Sequence, residues 1–229
     1  AAPDPAADLL SHTVCWPGRG NHERDGVLFN ILFDLPRAYY SFDYGNVHFV
    51  EVDSDMAEVV PGELHNSKAD PALLLWLEKD LAASKATWKI VEYHRPTFDA
   101  ITHRTTWGQT DLLPILEKGG VDMVFNGHTH NYQRFRPIGT PGKKPIVFVV
   151  SAGGGAPSYP IQPSPILENE HFGLNYCVFT ITGNTLEMTA KSPDGTVLEQ
   201  LKLIKNDGFY QKEIMYRAVS IDFAQNAAF

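Results

Sequence analysis

The sequence predicts a mixed α/β layered domain, and three observations carry that prediction. Short apolar strands alternate with helical stretches through the first two thirds of the chain. The last third switches to strands joined by hairpin turns. Several of the strands run directly into polar loops that carry histidine. Alternation followed by a run of antiparallel strands is the pattern of a layered α/β domain. The chain has 229 residues, enough for one large domain or two small ones with a sizeable core.

In chain order, Ala1–Ala7 is rich in Ala and Pro. It reads either as a loose leader into a short helix near Ala6–Ser11 or as the start of a processed secreted chain. His12–Trp16 reads as a short strand feeding the glycine-rich turn Pro17-Gly-Arg-Gly-Asn-His-Glu23. Tyr39–Tyr44 and Val47–Val52 are β-rich runs around a Gly45-Asn46 hairpin signal. Asp70-Pro71 supplies an N-cap and a first-turn proline. Leu73, Leu74, Leu77 and Leu81 then keep helical spacing to about Ala83. Trp88–Tyr93 is a buried strand ending on His94, and Arg95–Gly108 is a long polar loop. A second helix spans Asp111 to Lys118 and stops at Gly119-Gly120, with Pro114 tolerated in its first turn.

Val121–Phe125 is a short apolar strand that runs into Asn126-Gly-His-Thr-His130. In an extended segment His128 and His130, two apart, point to the same side and form half of a metal site; the alternative is a polar loop with incidental histidines. Pro145–Ser151 is a further strand ending in Ala152-Gly-Gly-Gly155, and Ala156–His171 reads as proline-rich loop. The glycine run lacks a following Lys-Ser/Thr, so it is not a nucleotide-binding P-loop. Asn175–Thr182, Thr185–Lys191 and Thr196–Ile204 form a β-meander, and Lys205–Phe229 reads as a tail or docking segment.

Composition narrows the function classes. Hydrophobic residues make up 43% and charged residues 20%, as in a soluble globular protein. The formal net charge is -8 with no Lys/Arg cluster, which argues against broad binding to nucleic acid or anionic membrane. No apolar run reaches transmembrane length. Cys15 and Cys177 both lie in apolar segments, so buried free thiols are expected, with a single disulfide as the alternative.

Asn21-His22, His94 and His128/His130 each follow a strand, and loops at the carboxyl ends of strands gather in open α/β sheets. Imidazoles with an amide oxygen suit a transition metal such as Zn, Mn or Fe. Gly20-Asn-His-Glu23, His94 after an apolar strand, and Gly127-His-Thr-His130, in that order, resemble the last three signature blocks of the calcineurin-like metallophosphoesterases. Tyr39–Phe49, Trp76–Leu81 and Gly127–Arg134 are similar to the purple acid phosphatase branch.

The resemblance implies a β-sheet sandwich flanked by helices over residues 1–204, with 205–229 outside it. It also implies metal-dependent hydrolysis of a small phosphate ester, and an extracellular, periplasmic or vacuolar location. Asn21, His94 and His128 match ligands of one metal, and His130 matches a ligand of the other. His22 and His103 match substrate-facing catalytic histidines. The family site is dinuclear in Fe, Zn or Mn. The family's two earlier blocks, one carrying a bridging Asp, are absent before Gly20, so the N-terminal part of the fold is missing. Three explanations stand: an absent N-terminal portion, a short form using one metal, or a degenerate binding module. A zinc-stabilised structural domain is a weaker reading. An N-terminal fragment or a partner covering the exposed sheet, and a single bound metal, follow as expectations.

Overall fold

A computed structural model describes residues 5–56, 68–101, 107–206, 209–211 and 219–220. The elements in order are α1 (Pro5–His12), α2 (Val27–Leu32), β1 (Tyr40–Tyr44), β2 (Val47–Glu51), α3 (Pro71–Ala83), β3 (Trp88–Tyr93), α4 (Leu112–Gly119), β4 (Met123–Asn126), β5 (Tyr132–Phe135), β6 (Ile138–Gly139), β7 (Val147–Ser151), β8 (Leu167–His171), β9 (Tyr176–Thr182), β10 (Thr185–Lys191), β11 (Val197–Asn206), β12 (Phe209–Gln211) and β13 (Val219–Ser220). A seven-stranded sheet runs β1-β2-β3-β4-β7-β5-β8, and a four-stranded sheet runs β12-β11-β10-β9. Strands β2, β3, β4 and β7 are parallel neighbours, so their carboxyl ends lie together.

Alternation along the strands builds two cores. Val50, Val91, Val124 and Phe148 face α3 and α4, where Leu73, Leu77, Leu81, Leu112 and Leu116 are buried. Their chain neighbours Ile90, Met123, Val147 and Val149 face the meander and pack on Leu186, Met188, Leu201 and Leu203. Helix α3 starts where expected because the Asp70 carboxylate accepts from the amides of Ala72 and Leu73. Helix α4 stops at Gly120, which takes the left-handed conformation (φ 70°) that a Cβ would penalise. The β1–β2 hairpin, β3, β7 and the three-strand meander occupy the predicted positions.

Three expectations are corrected and one helix is added. His12–Trp16 is not a strand: His12 ends α1, no strand pairs with residues 13–20, and Trp16 stacks on Phe42 at 4.0 Å. Part of the supposed loop Ala156–His171 is strand β8, which pairs with β5; Leu167-Glu-Asn-Glu-His171 is too polar to show a strand period. Helix α2 went unpredicted because it has no polar face, and Val27, Leu28, Ile31 and Leu32 are exposed. Cys15 is an exposed thiol because the irregular segment carrying it lies on the surface; both cysteines are free. In the last segment β11 continues to Asn206, β12 pairs with it, and β13 pairs with β6.

His48, treated as ordinary in the sequence, is buried between two carboxylates. Its Nδ1 lies 2.7 Å from Asp43 and its Nε2 2.9 Å from Asp80, tying the hairpin to α3. The Asp80 and Asp43 contacts outweigh burial and raise the imidazole above its ordinary value of 6.5. Burial pushes the Asp80 carboxyl up, but the hydrogen bonds from His48 and Ser41 prevail and hold it below its ordinary value. A raised histidine pKa stabilises the fold fully below the unfolded value and loses that contribution as pH rises through the folded one. A lowered carboxylate pKa gives the opposite dependence, lost only under acid. Wild type should therefore exceed His48→Gln in urea-unfolding stability at pH 6, and the gap should shrink as pH rises beyond about 6.5. A gap that widens between pH 6 and 9 would contradict the triad.

Candidate metal and phosphate site

The parallel pairing of β3 with β4 brings the loops after them side by side, and the amide of Gly127 donates to the carbonyl of His94 at 3.0 Å. The Gly20–Glu23 turn folds over them. Glu23 closes that turn by accepting the Gly20 amide at 2.8 Å. Two glycines make room for the His94 ring. A Cβ on Gly20 would lie 2.8 Å from His94 Nδ1, and one on Gly127 would lie 3.0 Å from it. The ring is thus held between two backbones with Nε2 turned the other way.

Three donor atoms meet at that nitrogen. His94 Nε2 lies 2.6 Å from Asn21 Oδ1 and 3.1 Å from His128 Nδ1. His128 Nδ1 lies 3.3 Å from Asn21 Oδ1. An ion about 2.0–2.2 Å from each ligand atom keeps those atoms about 3 Å apart, so the spacing fits one metal. Among the described residues no three His, Cys, Asp or Glu side chains form a metal cluster; the third donor here is an amide. Burial holds the His94 imidazole below its ordinary value against the pull of the Asp55 carboxylate, which favours the neutral ring.

His130 departs from the expected geometry. His128 and His130 both adopt positive φ, 69° and 45°, so the segment bends instead of extending. His130 Nδ1 lies 3.1 Å from the carbonyl of Pro157, and its ring stacks on Tyr159 at 4.8 Å. His22 sits exposed in the turn beside Asn21. His103 lies outside the described residues.

Surrounding groups not singled out in the sequence brace the loops. Arg95 binds Asp55 through Nε at 2.6 Å, and its amide donates to Ser54. Arg19 pairs with buried Asp53 at 2.5 Å. Asp53 is therefore engaged in the scaffold. Tyr132 and Arg134 both bind Glu199, 2.6 Å away in each case, and belong to the packing between sheets. Glu51 and Glu92 face a cavity below the loops, and burial together with the Glu92 charge raises the Glu51 carboxyl well above the usual range. A charge inside the apolar runs Phe49–Val52 and Ile90–Tyr93 was the signal available for that pair.

Two strand-end loops and the Gly20–Glu23 turn thus gather an amide oxygen and two imidazoles into a candidate metal site on a two-sheet α/β scaffold. The sequence profile of the calcineurin-like phosphoesterases matches residues 4–132, and the chain belongs to that family. Its similarities run to purple acid phosphatases. It is 32% identical to purple acid phosphatase 21 of Arabidopsis thaliana, over 57% of this chain and 33% of that protein. It is 26% identical to an acid phosphatase of Aspergillus ficuum, over 86% of this chain and 43% of that one. The structure of purple acid phosphatase PPD1 from yellow lupin seeds superposes with a TM-score of 0.71 at 21% identity, over 83% of this chain and 40% of that one. The chain thus spans less than half the length of these relatives.

Proposed function

We propose that this chain is a metal-dependent phosphoesterase acting on a small phosphate ester, of the acid phosphatase type. The observation that carries the proposal is the convergence of Asn21 Oδ1, His94 Nε2 and His128 Nδ1. These three residues would hold one Fe, Zn or Mn ion. When bound, the ion supplies positive charge that polarises a phosphoryl oxygen.

The remaining steps fall to side chains. His22, exposed beside Asn21, meets the phosphate and gives a proton to the leaving oxygen, a task suited to an imidazole. His103 is proposed for the same face. The contact to Pro157 makes His130 Nδ1 the protonated nitrogen and leaves its lone pair on Nε2, the arrangement of a ligand or a proton acceptor. Gly20 and Gly127 fix the His94 ring and so set where the ester is oriented. No carboxylate joins the Asn21, His94 and His128 donor set among the described residues. We therefore assign this chain one ion and slow hydrolysis. An extracellular, periplasmic or vacuolar location accompanies the proposal; among the described residues no helix is long and apolar enough to cross a membrane.

The test is hydrolysis of an aryl phosphate by the purified chain, with and without chelator. Activity should be lost with chelator and return with Zn, Mn or Fe. Chelator-resistant hydrolysis, or none under any metal, would remove the proposal.

A further inference from the structure

His94 and His128 are placed by paired strands, but Asn21 is not: among the described residues no strand precedes or pairs with its turn. Side chains have to hold the Asn21 amide against the two imidazoles. Apart from Asn21 itself, hydrogen bonds tie this turn to the sheet at Pro17, whose carbonyl accepts from Tyr40 Oη at 2.9 Å, and at Arg19. Arg19 is only 5% exposed. Its Nη1 lies 2.5 Å from Asp53 Oδ2. Its Nη2 donates to the Arg24 carbonyl and, at 3.3 Å, to the Asp55 carbonyl. One guanidinium thus joins the far end of the turn to the loop after β2. A Cβ on Gly26 would lie 2.8 Å from Arg19 Nε, so the backbone of that glycine packs directly on the side chain.

The same loop grips the other side of the site. Ser54 Oγ accepts the Arg95 amide at 3.0 Å, and Asp55 Oδ1 accepts Arg95 Nε at 2.6 Å. Asp53 Oδ1 accepts the Asp55 amide at 2.9 Å and so fixes the bend of this loop. Arg95 follows His94 directly. Asp53-Ser54-Asp55 is therefore bonded on one side to the turn that carries Asn21 and on the other to the residue next to His94.

We infer that Arg19 and Asp53 are positioning residues that set Asn21 Oδ1 against His94 Nε2 and so complete the donor set before an ion arrives. The inference rests on the metal site proposed above. An amide oxygen is a neutral donor, and its value to an ion depends on its being held in place by the groups behind it. A guanidinium suits the task, because its planar fork engages a carboxylate and a carbonyl at once, which the compact ammonium of lysine does not.

The test titrates Co²⁺ into the full chain and reads both affinity and the visible absorption of the bound ion. Arg19→Met combined with Asp53→Asn removes the tie without leaving one buried charge alone. Arg19→Lys keeps a charge opposite Asp53 but not the fork. The combined variant should bind Co²⁺ about 10–100-fold more weakly, with an absorption spectrum shifted toward that of Asn21→Ala and a wild-type circular dichroism spectrum. Arg19→Lys should fall between it and wild type, and decides alone should the combined variant unfold. In an Asn21→Ala background neither change should weaken Co²⁺ further by more than about twofold, because both act through Asn21. Wild-type Co²⁺ affinity in the Arg19 variants, or an equal loss with and without Asn21, would overturn the inference. Asn21→Ala that binds Co²⁺ as wild type does would show instead that the metal site is misassigned, and the inference would fall with it.

Discussion

Replacing His94 with alanine should strip the chain of its metal and, with it, of hydrolysis. His94 Nε2 is the atom nearest both other donors, 2.6 Å from Asn21 and 3.1 Å from His128. Its removal leaves an amide and one imidazole, too few to hold a transition ion against water. Loss of a residue that only orients a ligand costs about 10–100-fold in metal affinity, so loss of a ligand should cost at least about 100-fold. The fold should persist, because the ring is accommodated by two glycines and does not anchor either core. Circular dichroism beside metal titration separates the two effects. Retention of tight metal binding by His94→Ala would show that the ion sits elsewhere.

The second large effect belongs to His22. It is exposed, next in sequence to Asn21, and makes no contribution to either core. His22→Ala should lower turnover by roughly 10²–10⁴-fold, the range of a general acid, while metal content stays at the wild-type level. A variant with unaltered turnover would take His22 out of the mechanism.

Much of the scaffold was legible because local signals agreed with the tertiary result. Asp70-Pro71 caps α3, Gly120 ends α4, and Gly45 turns the first hairpin, each through chemistry visible in the chain. The meeting of His94 and His128 was legible for a different reason: strands feeding histidine loops become neighbours in a parallel sheet, whereas Asn21 joins them from a turn that no strand precedes. The bend at His128 and His130 was not legible because periodicity assumes extended backbone, and positive φ at two non-glycine residues breaks that assumption. The Glu51–Glu92 pair and the His48 bridge were illegible for want of register. Glu51 meets Glu92 only because β2 and β3 pair in parallel at that position, and His48 reaches Asp80 across 32 residues. Strand β8 escaped notice because its residues face solvent at a sheet edge, where no apolar pattern is required.

The central claim is that this chain holds one ion, at Asn21, His94 and His128. Two cations about 3.5–4 Å apart repel strongly unless an anion lies between them. Asn21, His94, His128 and His130 offer only neutral donors, and Asp53 is engaged by Arg19. Asp25 is spent at the start of α2, where it accepts the Val27 amide. Metal analysis of the purified 229-residue chain, with anomalous diffraction to place the ion and turnover measured on the same sample, tests this directly. The account predicts one ion per chain within reach of those three side chains, and slow hydrolysis. Two tightly bound ions with ordinary phosphatase turnover, or an ion bound away from His94 and His128, would contradict it.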